Sequence, residues 1–158
     1  MSPRAAARLE SLGFDSVYDY VAGKADWLAN GMPVEGEEAD IVRAGGLVRE
    51  DVPTTRIDEP LPAVEARIQT SGWDVGVVID DDNRVLGLLH VRQTAENNET
   101  AEGVMEEGPS TFRPDASPEQ LLDYLQQNDG TTVLVTTNRG RLIGAVRKED
   151  LERTIETA

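Results

Sequence analysis

An internal repeat constrains the fold of this chain more than any other feature of its sequence. Shifting the sequence by 57 residues, without a gap, superposes Gly46 on Gly103 and Gly87 on Gly144. The same register aligns further identical residues, which include Thr54 with Thr111, Arg56 with Arg113, Gln69 with Gln126, Val78 with Val135 and Arg84 with Arg141. Apolar pairs lie between them. Repeats of this kind usually form stacked or pseudo-symmetric units that bury a shared face.

Each unit is predicted to contain the same series of elements. Apolar residues at helical spacing (Leu61, Val64 and Ile68 in the first unit) predict a helix, with Pro60 near its start. In the second unit Pro118 takes that place and Ser117 is the expected N-cap. A hairpin of two strands should follow each helix, at 75–79 and 84–89 and again at 132–136 and 141–146. Closing helices are expected near Val91 and Lys148.

Composition excludes several classes of function. The chain has 158 residues, with 15 Lys and Arg against 30 Asp and Glu, a formal charge of −15. This charge repels nucleic acid and anionic lipid, so neither is expected as a partner. Without cysteine there is no disulfide framework and no thiolate metal site or nucleophile. No signal peptide or long apolar run is visible, so we expect a cytoplasmic, soluble protein.

The repeats resemble CBS domains, the small regulatory repeats named after cystathionine β-synthase. The resemblance rests on the order of elements, on the segment from Val104 through Ser110 to Leu122, and on the ending 144–150. It implies an α+β fold in which two strand-helix-strand-strand-helix repeats pack with pseudo-twofold symmetry. We place the first repeat at 44–97 and the second at 98–158, preceded by a short helix-strand-helix segment and linker at 1–43.

The resemblance also implies ligands, because CBS pairs often hold AMP, ADP, ATP or S-adenosylmethionine in two clefts between the repeats. The family signature is Gly, a hydroxyl residue three positions on, and an Asp three further that holds the ribose. The second repeat has Gly144, Arg147 and Asp150, and Arg is an acceptable exchange where a phosphate is bound. The first repeat has Gly87, His90 and Gln93. We therefore expect at most one nucleotide site, organised around Asp150.

Further candidates come from the strands that enter the repeats and would line a cleft. Thr111, Arg113 and Arg56 could contact the ligand, although each arginine could instead pair with the Asp two residues on. Arg147 could face solvent and Asp150 could simply favour the helix dipole. His90, the single histidine, could contact phosphate, sense pH or be structural. The acidic turn at 80–83 lacks the spacing of a calcium loop, and no metal site is expected.

The first forty residues do not join the repeat. Residues 5–13 and 23–31 predict helices, and 16–21 predict a strand. The order of these elements and their amino-acid sequence resemble the C-terminal end of a rhodanese domain. The chain lacks the cysteine that carries sulfur in that family. A segment of this size is too small to form a hydrophobic core of its own. We therefore expect its apolar side chains to pack onto the repeats or onto a partner chain, namely those of Phe14, Val17, Trp27 and Leu28.

Two functions remain open from the sequence. The first is a regulatory module that binds an adenosine-containing ligand, with AMP favoured, and modulates association with an unknown protein partner. The second is a dimerisation or interaction scaffold that has lost nucleotide binding. A homodimer is expected in either case. We expect no cofactor to be required. The sequence contains no recognisable set of catalytic residues, so we do not expect an enzyme.

Overall fold

The structure is a computed structural model that describes residues 3–21, 23–30, 32–36, 41–90 and 99–157. The predicted closing helix near Val91, and Gln93, lie outside the described residues. Both repeats contain helices and strands, and two further helices precede the first repeat. In chain order the elements are α1 (Pro3–Ser11), α2 (Gly23–Ala29), α3 (Ala44–Leu47), β1 (Thr54–Thr55), α4 (Leu61–Ser71), β2 (Val75–Ile79), β3 (Val85–His90), α5 (Ala101–Val104), β4 (Glu106–Glu107), β5 (Thr111–Phe112), α6 (Pro118–Gln127), β6 (Thr132–Thr136), β7 (Leu142–Arg147) and α7 (Lys148–Thr157).

Two small mixed sheets carry the repeats, one with strand order β1-β2-β3-β4 and one with order β5-β6-β7. In each, a parallel pair is followed by an antiparallel hairpin. Val75 pairs with His90, and Thr132 pairs with Arg147, both positions being displaced by 57 residues. Each hairpin also has a register shift after the equivalent residue. The sequence repeat is therefore a structural repeat, and the fold is α+β as expected.

Each repeat completes the sheet of the other. β4 lies near the start of the second repeat but pairs with β3 of the first, where Leu88 faces Glu106. Arg49 lies near the start of the first repeat and forms a bridge with Ala145 of β7 in the second, with backbone hydrogen bonds of 2.8 and 3.0 Å. This reciprocal exchange was not predicted. It closes edges that would otherwise carry unpaired backbone groups, and it makes the two repeats one folding unit.

Glycine permits the close approach of these exchanged segments. A Cβ at Gly144 would lie 2.4 Å from the Arg49 carbonyl oxygen, and one at Gly87 would lie 2.5 Å from Met105 Sδ. The pseudo-twofold axis runs between Arg84 and Arg141, which form an antiparallel bridge. Packing against the exchanged segments alone therefore explains Gly87 and Gly144, the glycines at the first position of the family signature.

The core lies between the sheets and the helices. Val64 and Ile68 of α4 pack on one sheet, and Leu121 and Leu125 of α6 pack on the other, all at most 1% exposed. A third cluster joins the repeats and contains Trp73, which is 4% exposed. Helical spacing of apolar residues therefore identified the buried faces of both helices.

Ser117 begins α6 with a capping box. Its hydroxyl accepts a hydrogen bond from the Gln120 backbone N–H, and the Gln120 side chain accepts one from the Ser117 N–H. We expect Ser117→Ala to lower the free energy of unfolding by about 1 kcal/mol, because one helix N–H loses its acceptor. Ser117→Asp keeps an acceptor and should retain most of this stability in urea denaturation. Equal losses in both variants would contradict a capping role.

The strand predicted at 16–21 is wrong, because these residues form no strand. An isolated strand has no partner for its backbone groups, and the segment instead folds back on α2. The Tyr20 and Trp27 rings meet edge-on at 5.3 Å, and Tyr20 donates a 2.6 Å hydrogen bond to Asp26. Phe14 remains 59% exposed, so it does not pack on the repeats of this chain.

The described residues contain neither a cluster of metal ligands nor a helix that could cross a membrane. No group of three or more His, Asp or Glu side chains in this part of the chain could hold a metal ion. Nor does any described helix have both the length and the apolar character needed to cross a membrane. In the acidic turn, Asp80 instead accepts backbone hydrogen bonds from Asp82 and Arg84.

Candidate functional site

Two arginines flank Trp73 where β2 begins. The Arg147 guanidinium carbon lies 4.1 Å from the centre of the indole ring, and that of Arg49 lies 5.4 Å from it. Arg147 Nη2 also donates a 2.8 Å hydrogen bond to the Gly72 carbonyl. The exchanged segment supplies Arg49, β7 supplies Arg147, and the turn after α4 supplies Trp73. The ring quadrupole of the indole attracts both guanidinium groups to its face.

Carboxylates balance these two cations. Arg49 donates to Asp51 through Nε and Nη2, and this hydrogen bond holds the pKa of the Asp51 carboxyl below its usual range. The same bond is the largest cause that raises the pKa of Arg49. Asp150 lies in the first turn of α7, where an acid favours the helix dipole. Its half-buried side chain is 3.4 Å from Arg153 Nη1.

A cavity of about 410 Å³ opens beside Arg147, and we call it the Arg147 cavity. Arg147 and Lys148 contribute positive charge at the start of α7, where backbone N–H groups point outward. The lining also contains three carboxylates, those of Asp74, Glu149 and Glu152. Such a site can accept one small anionic group more readily than several.

The equivalent side of the first repeat is shaped differently, because Gly130 stands where the second cleft has Trp73. A cavity of about 450 Å³ opens there, and its described lining residues are Gln69, Trp73, Asp74, His90, Asp129, Gly130 and Thr131. An adjoining cavity of about 270 Å³ shares His90, Asp129, Gly130 and Thr131 with it. We call the two together the His90 cleft.

Residues 101–157 match the family model of the CBS domain. The structure is similar to the CBS domains of a transcriptional regulator from Streptococcus pneumoniae, at 17% identity and a TM-score of 0.67, over 72% of this chain and 99% of that one. The chain has the fold of a CBS-domain pair. The match of its second repeat to the CBS model agrees with the sequence resemblance.

Two other solved structures share this fold. One is the cytosolic domain of the Mg²⁺ channel MgtE in complex with ATP, at 22% identity and a TM-score of 0.67, over 75% of this chain. This CBS pair spans about half of that protein, 49% of its length. The other is a CBS domain pair in complex with 5′-methylthioadenosine and S-adenosyl-L-methionine, at 16% identity and a TM-score of 0.66, over 74% of this chain and 98% of that one. A search of curated proteins finds no match.

The CBS pair does not bring all the predicted site residues together. Arg147 and Asp150 lie at the end of β7 and the start of α7, and His90 ends β3 at the equivalent place in the first repeat. His90 Nε2 is 3.5 Å from Glu106 Oε2. His90 therefore contacts the exchanged strand of the other repeat, which supports a structural role.

The other three candidates lie away from Arg147. Arg56 donates to the carbonyls of Ile79 and Asp80, and Arg113 donates to the Asn138 side chain. Both contacts are at the turn ends of β2 and β6, a strand length of roughly 13 Å from Trp73 and Arg147. Thr111 accepts a 3.2 Å hydrogen bond from Thr136 within the sheet. The suggested pairing of each arginine with the Asp two residues on does not occur among the described ion pairs.

Sequence analysis missed Trp73, Arg49 and Asp129 in the two clefts. A signal for Trp73 was present, because it aligns with Gly130 in the repeat and is the largest departure from the repeat's symmetry. Arg49 could not be found this way. It reaches the second cleft only through the exchange of segments, which local sequence does not encode.

Proposed function

We propose that this CBS pair is a regulatory module that binds an adenosine-containing ligand at the Arg147 cavity and thereby changes its association with a protein partner. The observation that carries the proposal is that Arg147 and Lys148 line the cavity where β7 ends and α7 begins. Asp150 lies in the same first turn of α7 but is not among the lining residues. Arg and helix N–H groups suit a phosphate, and a carboxylate suits a ribose diol. Two similar CBS structures hold ATP or adenosyl compounds, which supports this class of ligand.

AMP is favoured over ATP on electrostatic grounds. Two cations and three carboxylates line the cavity, and the whole chain has a formal charge of −15. Each additional phosphate would therefore meet more repulsion than attraction. AMP or an uncharged adenosyl group fits this balance better.

The alternative is a scaffold without a ligand, and one observation favours it. Arg147 already stacks on Trp73 and donates to the Gly72 carbonyl. Both contacts would have to weaken before its guanidinium could meet a phosphate. If the chain is a scaffold, the stack on Trp73 keeps Arg147 from binding a ligand in the second cleft. The CBS pair then serves to hold protein chains together as a homodimer.

A thermal-shift screen with AMP, ADP, ATP, NAD and S-adenosylmethionine separates these functions. AMP at 100 times its dissociation constant should add about 2.7 kcal/mol of stability. For a domain of this size that raises the unfolding midpoint by about 5–10 °C. Asp150→Ala should abolish the shift, whereas Asp123→Ala, on the exposed side of α6, should keep it. No shift with any compound would favour the scaffold, and a shift that survives Asp150→Ala would place the ligand elsewhere.

A further inference from the structure

Arg147 connects the two repeats at the wall of the Arg147 cavity. It ends β7 of the second repeat, and its Nη2 donates a 2.8 Å hydrogen bond to the carbonyl of Gly72, which follows α4 of the first repeat. Gly72 and Arg147 both line the cavity, so this hydrogen bond lies along its wall. A phosphate in the cavity would compete with the Gly72 carbonyl, because both accept hydrogen bonds from the same guanidinium.

Two attractions hold Arg147 in this position. Gly72 is the C-cap of α4, and the last carbonyls of a helix carry partial negative charge that attracts a cation. The guanidinium carbon of Arg147 also lies 4.1 Å from the centre of the Trp73 ring, whose face attracts cations. Trp73 is 4% exposed in the cluster that joins the repeats, so the ring that Arg147 contacts is fixed in place. Arg147 is therefore held on the first repeat by contacts that involve no ligand.

In the described part of the chain, the His90 cleft has no equivalent of this contact. The 57-residue register places His90 at the position of Arg147 and Gly130 at the position of Trp73. Gly130 offers no ring to a cation, and His90 lies 3.5 Å from Glu106 instead. The packing of two repeats therefore does not require a cation stacked on a ring. The contact of Arg147 is an addition to one side of the pair, which indicates a role beyond folding.

We propose that Arg147 is a latch between the two repeats that a bound phosphate releases. In the latched state its guanidinium contacts Trp73 and Gly72, and in the released state it binds the phosphate of a ligand in the Arg147 cavity. The latch opposes binding, and by the same coupling free energy binding weakens the contact between the repeats. This inference rests on the proposed function, because it needs a ligand with a phosphate. It adds the step by which that ligand changes the packing of the repeats that a protein partner meets.

Trp73→Leu tests the latch, because it removes the ring that Arg147 contacts and changes no residue that lines the Arg147 cavity. A latched fraction lowers the apparent affinity for a ligand, so the variant should bind AMP about two- to fivefold more tightly than the wild type, as the strength of an exposed cation–π contact implies. Loss of packing alone would weaken binding instead. Adenosine has no phosphate to compete for Arg147 and should bind both chains equally. Calorimetric titration of the full chains, well below their unfolding midpoints, gives these affinities.

Trp27→Leu is the matched control, because Trp27 lies in α2, outside the repeats, and its loss should leave AMP binding unchanged. A measurement on the wild type does not depend on the stability of Trp73→Leu. The ring current of Trp73 shifts protons above its face upfield, so the Arg147 Nε–H signal, identified by its absence from Arg147→Lys, should lie upfield and move downfield with AMP.

The outcomes separate the latch from the nucleotide function. Equal affinity of the wild type and Trp73→Leu for AMP, or an Arg147 signal that bound AMP leaves in place, would overturn the latch and leave the proposed function standing. A tighter binding of adenosine by Trp73→Leu, equal to that of AMP, would also overturn it, because the phosphate would then play no part. If neither chain binds AMP, both the latch and the nucleotide function are wrong.

Discussion

Replacing Gly144 with alanine is expected to lower the free energy of unfolding by about 3 kcal/mol, the upper part of the usual range for overpacking a core. The new Cβ would lie 2.4 Å from the Arg49 carbonyl oxygen and 2.6 Å from Val48 Cγ1. Because the first of these is a backbone atom, the exchanged segment must move. Its two hydrogen bonds to Ala145 would then weaken. The midpoint of thermal unfolding should fall by about 6–12 °C.

Two further glycine variants serve as controls. Gly103→Ala places its Cβ where nothing lies within 4 Å, so it should leave the midpoint nearly unchanged. Gly87→Ala should be intermediate, because the nearest atom is the flexible Met105 Sδ and the Glu106 carbonyl oxygen is 3.0 Å away. If Gly144→Ala unfolds at the same temperature as Gly103→Ala, the exchange of segments does not support the fold as described.

Trp73→Ala should be the most destabilising single truncation, at about 3–5 kcal/mol. Trp73 is 4% exposed within the cluster that joins the two repeats. The variant would leave a large cavity there and remove the aromatic partner of both Arg147 and Arg49. Urea denaturation followed by circular dichroism measures the loss directly.

Trp27→Ala is the matched control for Trp73→Ala. Trp27 contacts Tyr20 and Pro33 in the N-terminal segment, outside the repeats. Its truncation should leave the main unfolding transition in place. If the two variants lower the free energy of unfolding equally, the N-terminal segment and the repeats unfold as one core. The N-terminal segment is then not structurally separate from the repeats.

The repeat made much of the fold predictable. β2 and β6 were predicted with the bounds they have, because each is a short apolar run between turns and occurs twice in the same register. α7 begins at the expected Lys148. The rest depended on long-range pairing. α3, α5 and β4 have two to four residues each, too few to show a period, and β4 forms only because β3 offers an open edge.

In the candidate site, the placement of residues close together in the sequence could be predicted, and contacts between residues far apart in the sequence could not. Arg147 and Asp150 lie within one turn of the same helix start, so their spacing in the sequence carried the information. The stack of Arg147 on Trp73 joins two repeats and has no local signal. The rhodanese resemblance of the N-terminal segment stays a prediction, as do the homodimer and the repeat boundaries at 44–97 and 98–158.

Calorimetric titration of AMP into the wild-type chain and into Asp150→Asn tests whether Asp150 holds the ribose of a bound nucleotide. We expect one AMP bound per chain by the wild type, and binding weakened by at least about tenfold in the variant, because a neutral amide accepts weaker hydrogen bonds from a ribose diol. Equal affinity in the two chains would contradict the role of Asp150. Absence of any binding heat, together with an unchanged thermal midpoint, would contradict the regulatory function and leave the scaffold.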